Sequence, residues 1–267
     1  MNTLEPSIRI QVDATNPGQF FACCGLFELA DRLWQGVHTW FENDIFLLSP
    51  IQSTPDTNLP KLIDAICNAP FTQTDLEDET ASPIHIGGPF NLSLDWWTDT
   101  RAGGNRLKIW AGRMSSVRIA KSMRAAIQNP KLQTESLLDQ GMVVFDPDEP
   151  DKKVEPFYFD ARRGNNAMSR DIGFKPDPLQ MTTTAFPAVE FFSLVGLQRA
   201  RPLPAGHHRI LDYCTWSLPS PPQLLPALIC GLITEANPRR YRFENAFRTD
   251  QKKHKAFTSA TLIGETQ

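Results

Sequence analysis

No stretch of this 267-residue chain approaches the run of apolar residues that a bilayer-spanning helix needs. Its first residues, Met1-Asn-Thr-Leu-Glu-Pro, carry neither the basic start nor the apolar run of a secretory leader, so a cytoplasmic protein without membrane association is expected. Cysteine is scarce and unpatterned. Cys23, Cys24, Cys67, Cys214 and Cys230 are odd in number and lack C-x-x-C spacing, which argues against a disulfide framework and predicts buried, reduced thiols. Signatures of catalysis are equally sparse: there is no P-loop, no dinucleotide fingerprint, no G-x-S-x-G and no compact carboxylate set for two Mg²⁺ ions. His207-His208 with Asp212 one helical turn on would suit a metal only on a helix, whereas Pro202, Pro204 and Gly206 make the region loop-like. His85 reads as a satisfied histidine in a strand. These absences point to a binding protein that is not an enzyme and uses no cofactor.

Acidic residues are missing altogether between Arg101 and Thr134, a stretch that holds Arg101, Arg106, Lys108, Arg113, Arg118, Lys121, Arg124 and Lys131. The chain as a whole is −3, so a basic composition does not explain the cluster. By segment, residues 1–100 sum to −11, 101–134 to +8 and 135–267 to zero. Local potential, not net charge, concentrates phosphates at a surface, and this segregation favours a polyanion as partner. The alternative is a solvated helix face paired with the acidic N-terminal part.

The composition is that of a folded globular protein, 41% hydrophobic and 21% charged with 17 Phe and 6 Trp, and 22 prolines predict interrupted elements. Ile8 to Val12 alternates like a half-buried strand and runs into Asp13-Ala-Thr-Asn-Pro-Gly18, where Asn16 suits an N-cap and Pro17 the first turn of an amphipathic helix reaching Trp34. Trp40 to Leu48 reads as one or two strands, Leu59 to Asn68 as a short helix, and Phe90 to Trp97 as the clearest strand. In that strand Trp96 faces the core and Trp97 points the other way. From Arg113 to Ile127 the pattern is helical, with Met114, Val117, Ala120, Met123 and Ile127 on one side. Arg113, Arg118, Lys121 and Arg124 fall within an arc of roughly 140° on another. Phe157 to Asp160 reads as a strand, and Pro187 to Leu197 and Leu224 to Ala236 as helices.

Two loops place Gly and Asn between arginines: Arg101-Ala-Gly-Gly-Asn-Arg106 and Arg162-Arg-Gly-Asn-Asn-Ala-Met-Ser-Arg170. Such loops can converge backbone amides on an anion while guanidinium groups grip phosphate. The candidate nucleic-acid contacts are therefore Arg101, Gly103, Gly104, Asn105, Arg106 and Lys108 in the first loop. The second loop adds Arg162, Arg163, Asn165, Asn166 and Arg170, and the helix adds Arg113, Arg118, Lys121 and Arg124. Trp97 is the candidate for stacking on a base. Ordinary Gly/Asn turns beside core aromatics are the plainer reading of both loops.

Longer strings carry a family likeness. Asp13 to Ala30, Leu94-Asp-Trp-Trp97, Leu107-Lys-Ile-Trp-Ala-Gly112 and Arg170-Asp-Ile-Gly-Phe174 resemble the effector-associated family of subtype I-U, also called I-G, CRISPR–Cas loci. Phe186-Pro-Ala-Val-Glu190, Gly196 to Pro202 and Arg240-Tyr-Arg-Phe243 extend the resemblance over most of the chain. It implies a subunit of a type I crRNA-guided surveillance (Cascade) complex in antiviral defence that contacts crRNA or target DNA. Cas7-like and Cas5/Cas6-like subunits would be its neighbours, and a separate helicase–nuclease would cleave. A large-subunit-like role and a crRNA-holding backbone role both stay open, as do a protein–protein scaffold and a metal-dependent nucleic-acid-processing enzyme. For architecture the expectation is α+β, with a mixed or mainly antiparallel sheet and segregated helices. Residues 1–145 and 157–267 form two α+β regions joined by the acidic, proline-rich 146–156, or else one compact domain.

Overall fold

The Asn-Pro-Gly turn starts a helix as its residues dictate. In a computed structural model, which describes residues 4–78, 80–111, 114–164, 184–248, 252 and 254–265, helix α1 spans Pro17–Trp34, and the Asn16 side chain accepts a hydrogen bond from Gly18 N. Gln35, at φ 54°, closes it by donating its N–H to Asp31 O. The helix is not amphipathic: every residue from Pro17 to Ala30 is buried, as expected of a helix apolar all round. Its buried acid, Glu28, binds Arg32 and Arg199 at 2.6 Å each. Cys23 and Cys24 are buried on it, and desolvation pushes both thiols above their ordinary range.

Ahead of α1 lies β1 (Ile8–Gln11), and after it come β2 (Val37–Glu42) and β3 (Ile45–Pro50). These three pair antiparallel in the order β1-β3-β2, so the segment read as one or two strands is a hairpin. Helix α2 (Leu59–Asn68) has the expected bounds. Short strands β4 (Phe71–Gln73), β5 (Ile84–Ile86) and β6 (Leu92–Leu94) make a second antiparallel sheet, in which His85 Nδ1 lies 3.3 Å from Ser93 Oγ. The one-turn α3 (Gly104–Leu107), α4 (Ser116–Ala126) and one-turn α5 (Ala161–Gly164) lead to α6 (Pro187–Gly196). Then follow β7 (Leu203–Ala205), β8 (His207–Thr215), α7 (Leu225–Ile229), β9 (Arg239–Phe247), β10 (Lys255–Phe257) and β11 (Thr261–Glu265). In this third sheet β9 pairs with β8 on one edge and with β10 and β11 in succession on the other, all antiparallel. Helices and antiparallel strands occupy separate elements, and the fold is α+β.

Three expected elements are shorter or absent. The strand toward Trp97 ends at Leu94, and Trp96–Thr98 forms a 3₁₀ turn. Phe157 to Asp160 is not a strand: Tyr158 takes φ 77°, its carbonyl accepts from Phe257 N at 3.2 Å, and the amides of Tyr158, Phe159 and Asp160 donate to the buried Glu190 carboxylate at 3.0–3.2 Å. Desolvation, aided by Asp160, pushes Glu190 up to about 8. The helix expected over Leu224 to Ala236 stops at Ile229, where Gly231 turns left-handed at φ 68°.

One hydrophobic core includes residues from Ile8 to Ala260, drawn from both sides of 146–156. Edge strand β2 is bonded to the segment after β8 through Phe41 N to Trp216 O and Thr39 N to Ser220 O. At its centre α1 crosses α6 at backbone contact: a methyl on Gly25 would lie 2.0 Å from Phe192 O, and one on Gly196 2.0 Å from Phe21 O. Ser193 Oγ donates to Gly18 O across the same crossing. Gly196→Ala is therefore expected to cost about 1–3 kcal/mol or more through overpacking. Urea unfolding checks it; an unchanged midpoint would contradict a rigid crossing.

Candidate functional site

The first glycine loop takes the positive φ that its glycines allow, but its amides do not converge on an anion: Ala102 N donates to Asp99 Oδ1, Gly103 N to Thr100 O, Gly104 N to Asp99 O and Arg106 N to Gly103 O, and the aromatic residues beside it are buried. Gly103 has φ 74° and Gly104 begins α3, where a methyl would lie 1.6 Å from Trp96 O. Arg101, Asn105 and Arg106 are exposed, and Lys108 is half-buried with its ammonium 5.2 Å from the Trp110 ring. Trp97 corrects the expectation of a stacking residue: it is 3% exposed. Alternation lapses after Leu94, and the 3₁₀ turn sends both indoles inward. Trp96, Trp97 and Trp110 donate to Leu194 O, Ala81 O and Thr80 O at 2.7–2.9 Å.

The basic face of α4 is also engaged internally. Arg118 meets Asp146 at 2.5 Å and Glu149 at 3.5 Å, and Lys121 meets Asp148 at 2.5 Å. Arg124 donates to Ala69 O at 2.7 Å and to Ile66 O at 3.3 Å, with its guanidinium 4.6 Å from the Phe71 ring. The charges that neutralise this face come from the acidic 146–149 stretch, not from the N-terminal part. That stretch doubles back: Asp146 N donates to Lys152 O, and Val154 N to Val144 O. Arg118, Lys121 and Arg124 are thus corrected from phosphate contacts to structural ones.

Arg162 is corrected in the same way. It binds the fully buried Asp160 at 2.6 Å, Asp139 at 2.8 Å and Leu138 O at 2.7 Å, and covers the Phe186 ring at 3.6 Å. Arg163 is half-buried, its Nε lacking a hydrogen-bond partner among the described residues. Arg113, Asn165, Asn166 and Arg170 lie outside the described residues.

What the fold brings together is a different basic group, centred on Arg106. Asn245 Nδ2 on β9 donates to Arg106 O at 2.6 Å, Lys255 Nζ on β10 approaches the same oxygen at 3.4 Å, and Lys255 N bonds Ile109 O. These bonds lay the loop against the third sheet. Burial, then Arg209 and Lys108, push the Lys255 ammonium down to about 8. Partial desolvation and the charges of His207, Arg209, Arg106 and Lys255 lower the exposed His208. Arg209 lies 4.9 Å from the Phe247 ring and 3.4 Å from Glu244, while Asp78 acts on Lys108. On the other side of the loop, Arg101, Arg106 and Arg201 line a cavity of about 120 Å³.

Arg201, Arg209 and Lys255 were missed as site residues, although the sequence holds a basic string at Lys252-Lys-His-Lys255. His207, His208 and Asp212 are not a metal set in geometry, because β8 is a strand. Four residues along a strand span about 13 Å, and Asp212 is held by Arg242 at 2.8 Å. Among the described residues no group of three or more His, Cys, Asp or Glu is placed to hold a metal ion. No protein-family model, curated protein or solved structure matches this chain.

Replacing Arg118 and Lys121 together by Ala should lower stability by about 1–2 kcal/mol, since the nearly buried Asp146 loses its cation while the exposed pair adds little. Nucleic-acid affinity and its salt slope should stay unchanged. A binding loss with an unaltered melting temperature would return this face to the site.

Proposed function

We propose that this chain is a nucleic-acid-binding subunit that does not itself cleave, working in the cytoplasm within a type I crRNA-guided surveillance complex. The observation that carries the binding is the convergence on Arg106 of Lys108, Arg209, Lys255, His207 and His208, drawn from loop and sheet. A half-buried ammonium held down by desolvation and then by like charges is a site made less unfavourable by an anion, and phosphate is the anion that a row of such groups favours. The complex itself is taken from the resemblance: crRNA or opened target DNA would be the strand bound, beside Cas7-like and Cas5/Cas6-like neighbours, with cleavage left to a separate helicase–nuclease.

The first test is fluorescence anisotropy with short labelled single strands between about 50 and about 200 mM salt. Arg106→Ala and Lys255→Ala should each weaken binding nearly equally across sequences and reduce the slope of log K against log[salt] by roughly 0.7. An absence of binding at low salt would sink the reading. Expression with the neighbouring genes and a CRISPR array should yield array-derived RNA on the purified chain, and its absence would overturn the placement in such a complex.

Protons report the same contact. In the free chain Lys255 loses its proton near 8, against 10.5 for an unperturbed lysine, so a bound phosphate should restore the charge. Binding is expected to take up protons between about pH 8 and 10.5 and to weaken as pH rises through that window. Free-chain stability should rise there, since the cost of desolvating the charge, and of holding it beside Arg209 and Lys108, disappears. Calorimetry in two buffers of different ionisation enthalpy measures the uptake, and Lys255→Met should abolish it. Equal heats in both buffers for the unaltered chain would remove Lys255 from the contact.

A further inference from the structure

The cavity beside Arg106 has a chemistry of its own. Its volume of about 120 Å³ is that of roughly four waters at ~30 Å³ each, and it lies well below the ~300 Å³ at which pockets for whole small molecules begin. A phosphate group fits such a space; a nucleoside does not. Three arginines line it, Arg101 and Arg106 from the loop and Arg201 from the segment after α6. Pro202, Pro204 and Leu211 supply an apolar floor that cannot hydrogen-bond an alternative guest.

Arg201 is the unusual member. Its NH1 is shut from solvent and has no hydrogen-bond partner among the described residues, and it packs so closely on Gly104 that a methyl there would lie 2.8 Å away. Its Nε donates a long bond to Gln198 O at 3.4 Å. Asp99 and Asp95 act on it, yet each carboxylate already accepts a hydrogen bond, from Ala102 N and Gln198 Nε2 respectively. A guanidinium taken out of water without a paired anion is costly, and a ligand anion removes the cost. Three arginines around one concavity match the several acceptor oxygens of a phosphomonoester. Such a group carries about −1.5 to −2 charge, more than the single charge of a phosphate within a strand.

We propose that this pocket receives a phosphomonoester group, the phosphorylated end of a strand lying across the basic face. The pocket rests on the nucleic-acid reading for its strand but not for its phosphate. A strand running past the loop offers diesters to Arg106, Lys108 and Lys255. Only its terminus can turn a phosphate into the concavity between Arg101 and Arg201.

The test compares one labelled oligonucleotide with a 5′-phosphate, with a 3′-phosphate and with neither, together with a nucleoside monophosphate, on the full chain. One phosphorylated end should bind at least about tenfold more tightly than the unphosphorylated strand, the effect of one extra charged hydrogen-bonded contact. Arg101→Ala and Arg201→Met should each bring that ratio within twofold while leaving the unphosphorylated strand's affinity in place. Arg101 is exposed, so its variant folds even if the Arg201 variant does not. Equal binding of all three strands overturns the pocket and leaves the basic face standing. A nucleoside monophosphate that raises the melting temperature, with no strand bound, supports the pocket and overturns the face. If neither strands nor monophosphate bind, both are overturned.

Discussion

The backbone-to-backbone crossing of α1 and α6 is the constraint from which the rest of the structure follows. With only hydrogen atoms at Gly25 and Gly196 facing Phe192 O and Phe21 O, two helices that are buried on nearly every side lie closer than any side chain would permit. That approach places everything α6 carries. Near its start, Glu190 accepts the three amides of the Tyr158–Asp160 turn. Further along, Leu194 O receives the Trp96 indole, and just past its end Gln198 Oε1 receives the amides of Asp95 and Trp96. Arg199 then reaches Glu28, and Arg201 arrives beneath Gly104. The glycine loop is therefore held from below by the residues that follow α6, and its geometry depends on a helix crossing that it does not itself touch.

Charge is redistributed by the same packing. A run of eight basic residues without an acid looks like one surface in the sequence, yet five of them part in space into two populations. Arg118, Lys121 and Arg124 are turned toward Asp146, Asp148, Glu149 and the carbonyls that end α2, where they hold the doubled-back acidic segment and the α2 end in place. Arg106 and Lys108 meet further cations from β8 and β10. The first population gains acids and loses its potential; the second gains like charges and concentrates it. Half-buried among them, Lys255 is depressed to about 8 by desolvation and then by Arg209 and Lys108.

Buried polar groups in this chain are mostly placed where the backbone departs from regular structure. Glu190 replaces the strand that would otherwise satisfy Tyr158, Phe159 and Asp160, and Asn16 joins the α1 cap to Ala161 N and to Asp160. Arg162 closes the other side of Asp160. Phe157 to Asp160 reads as a strand in the sequence, but a residue at φ 77° cannot continue one, and a carboxylate serves three converging amides better than a straight neighbour would.

Local chemistry was legible wherever a signal and its consequence lie within one turn of chain. Asn16 and Pro17 set the start of α1, Leu59 to Asn68 carries its own helix, and the Gly103 conformation follows from its residue type. The α+β class followed from such pieces, because each needs only its neighbours to form. Burial and partnership were decided by tertiary structure. Trp97 turned inward when a 3₁₀ turn replaced the last residues of a strand, and α1 was buried all round because α6, some 160 residues further along, covers its second face. Lys255 and Arg209 joined Arg106 through the register of β8, β9 and β10, and the cations of α4 met acids about 30 residues away. Sequence determines which groups can carry charge or bury surface; which of them meet depends on contacts between distant segments, and no local pattern encodes those.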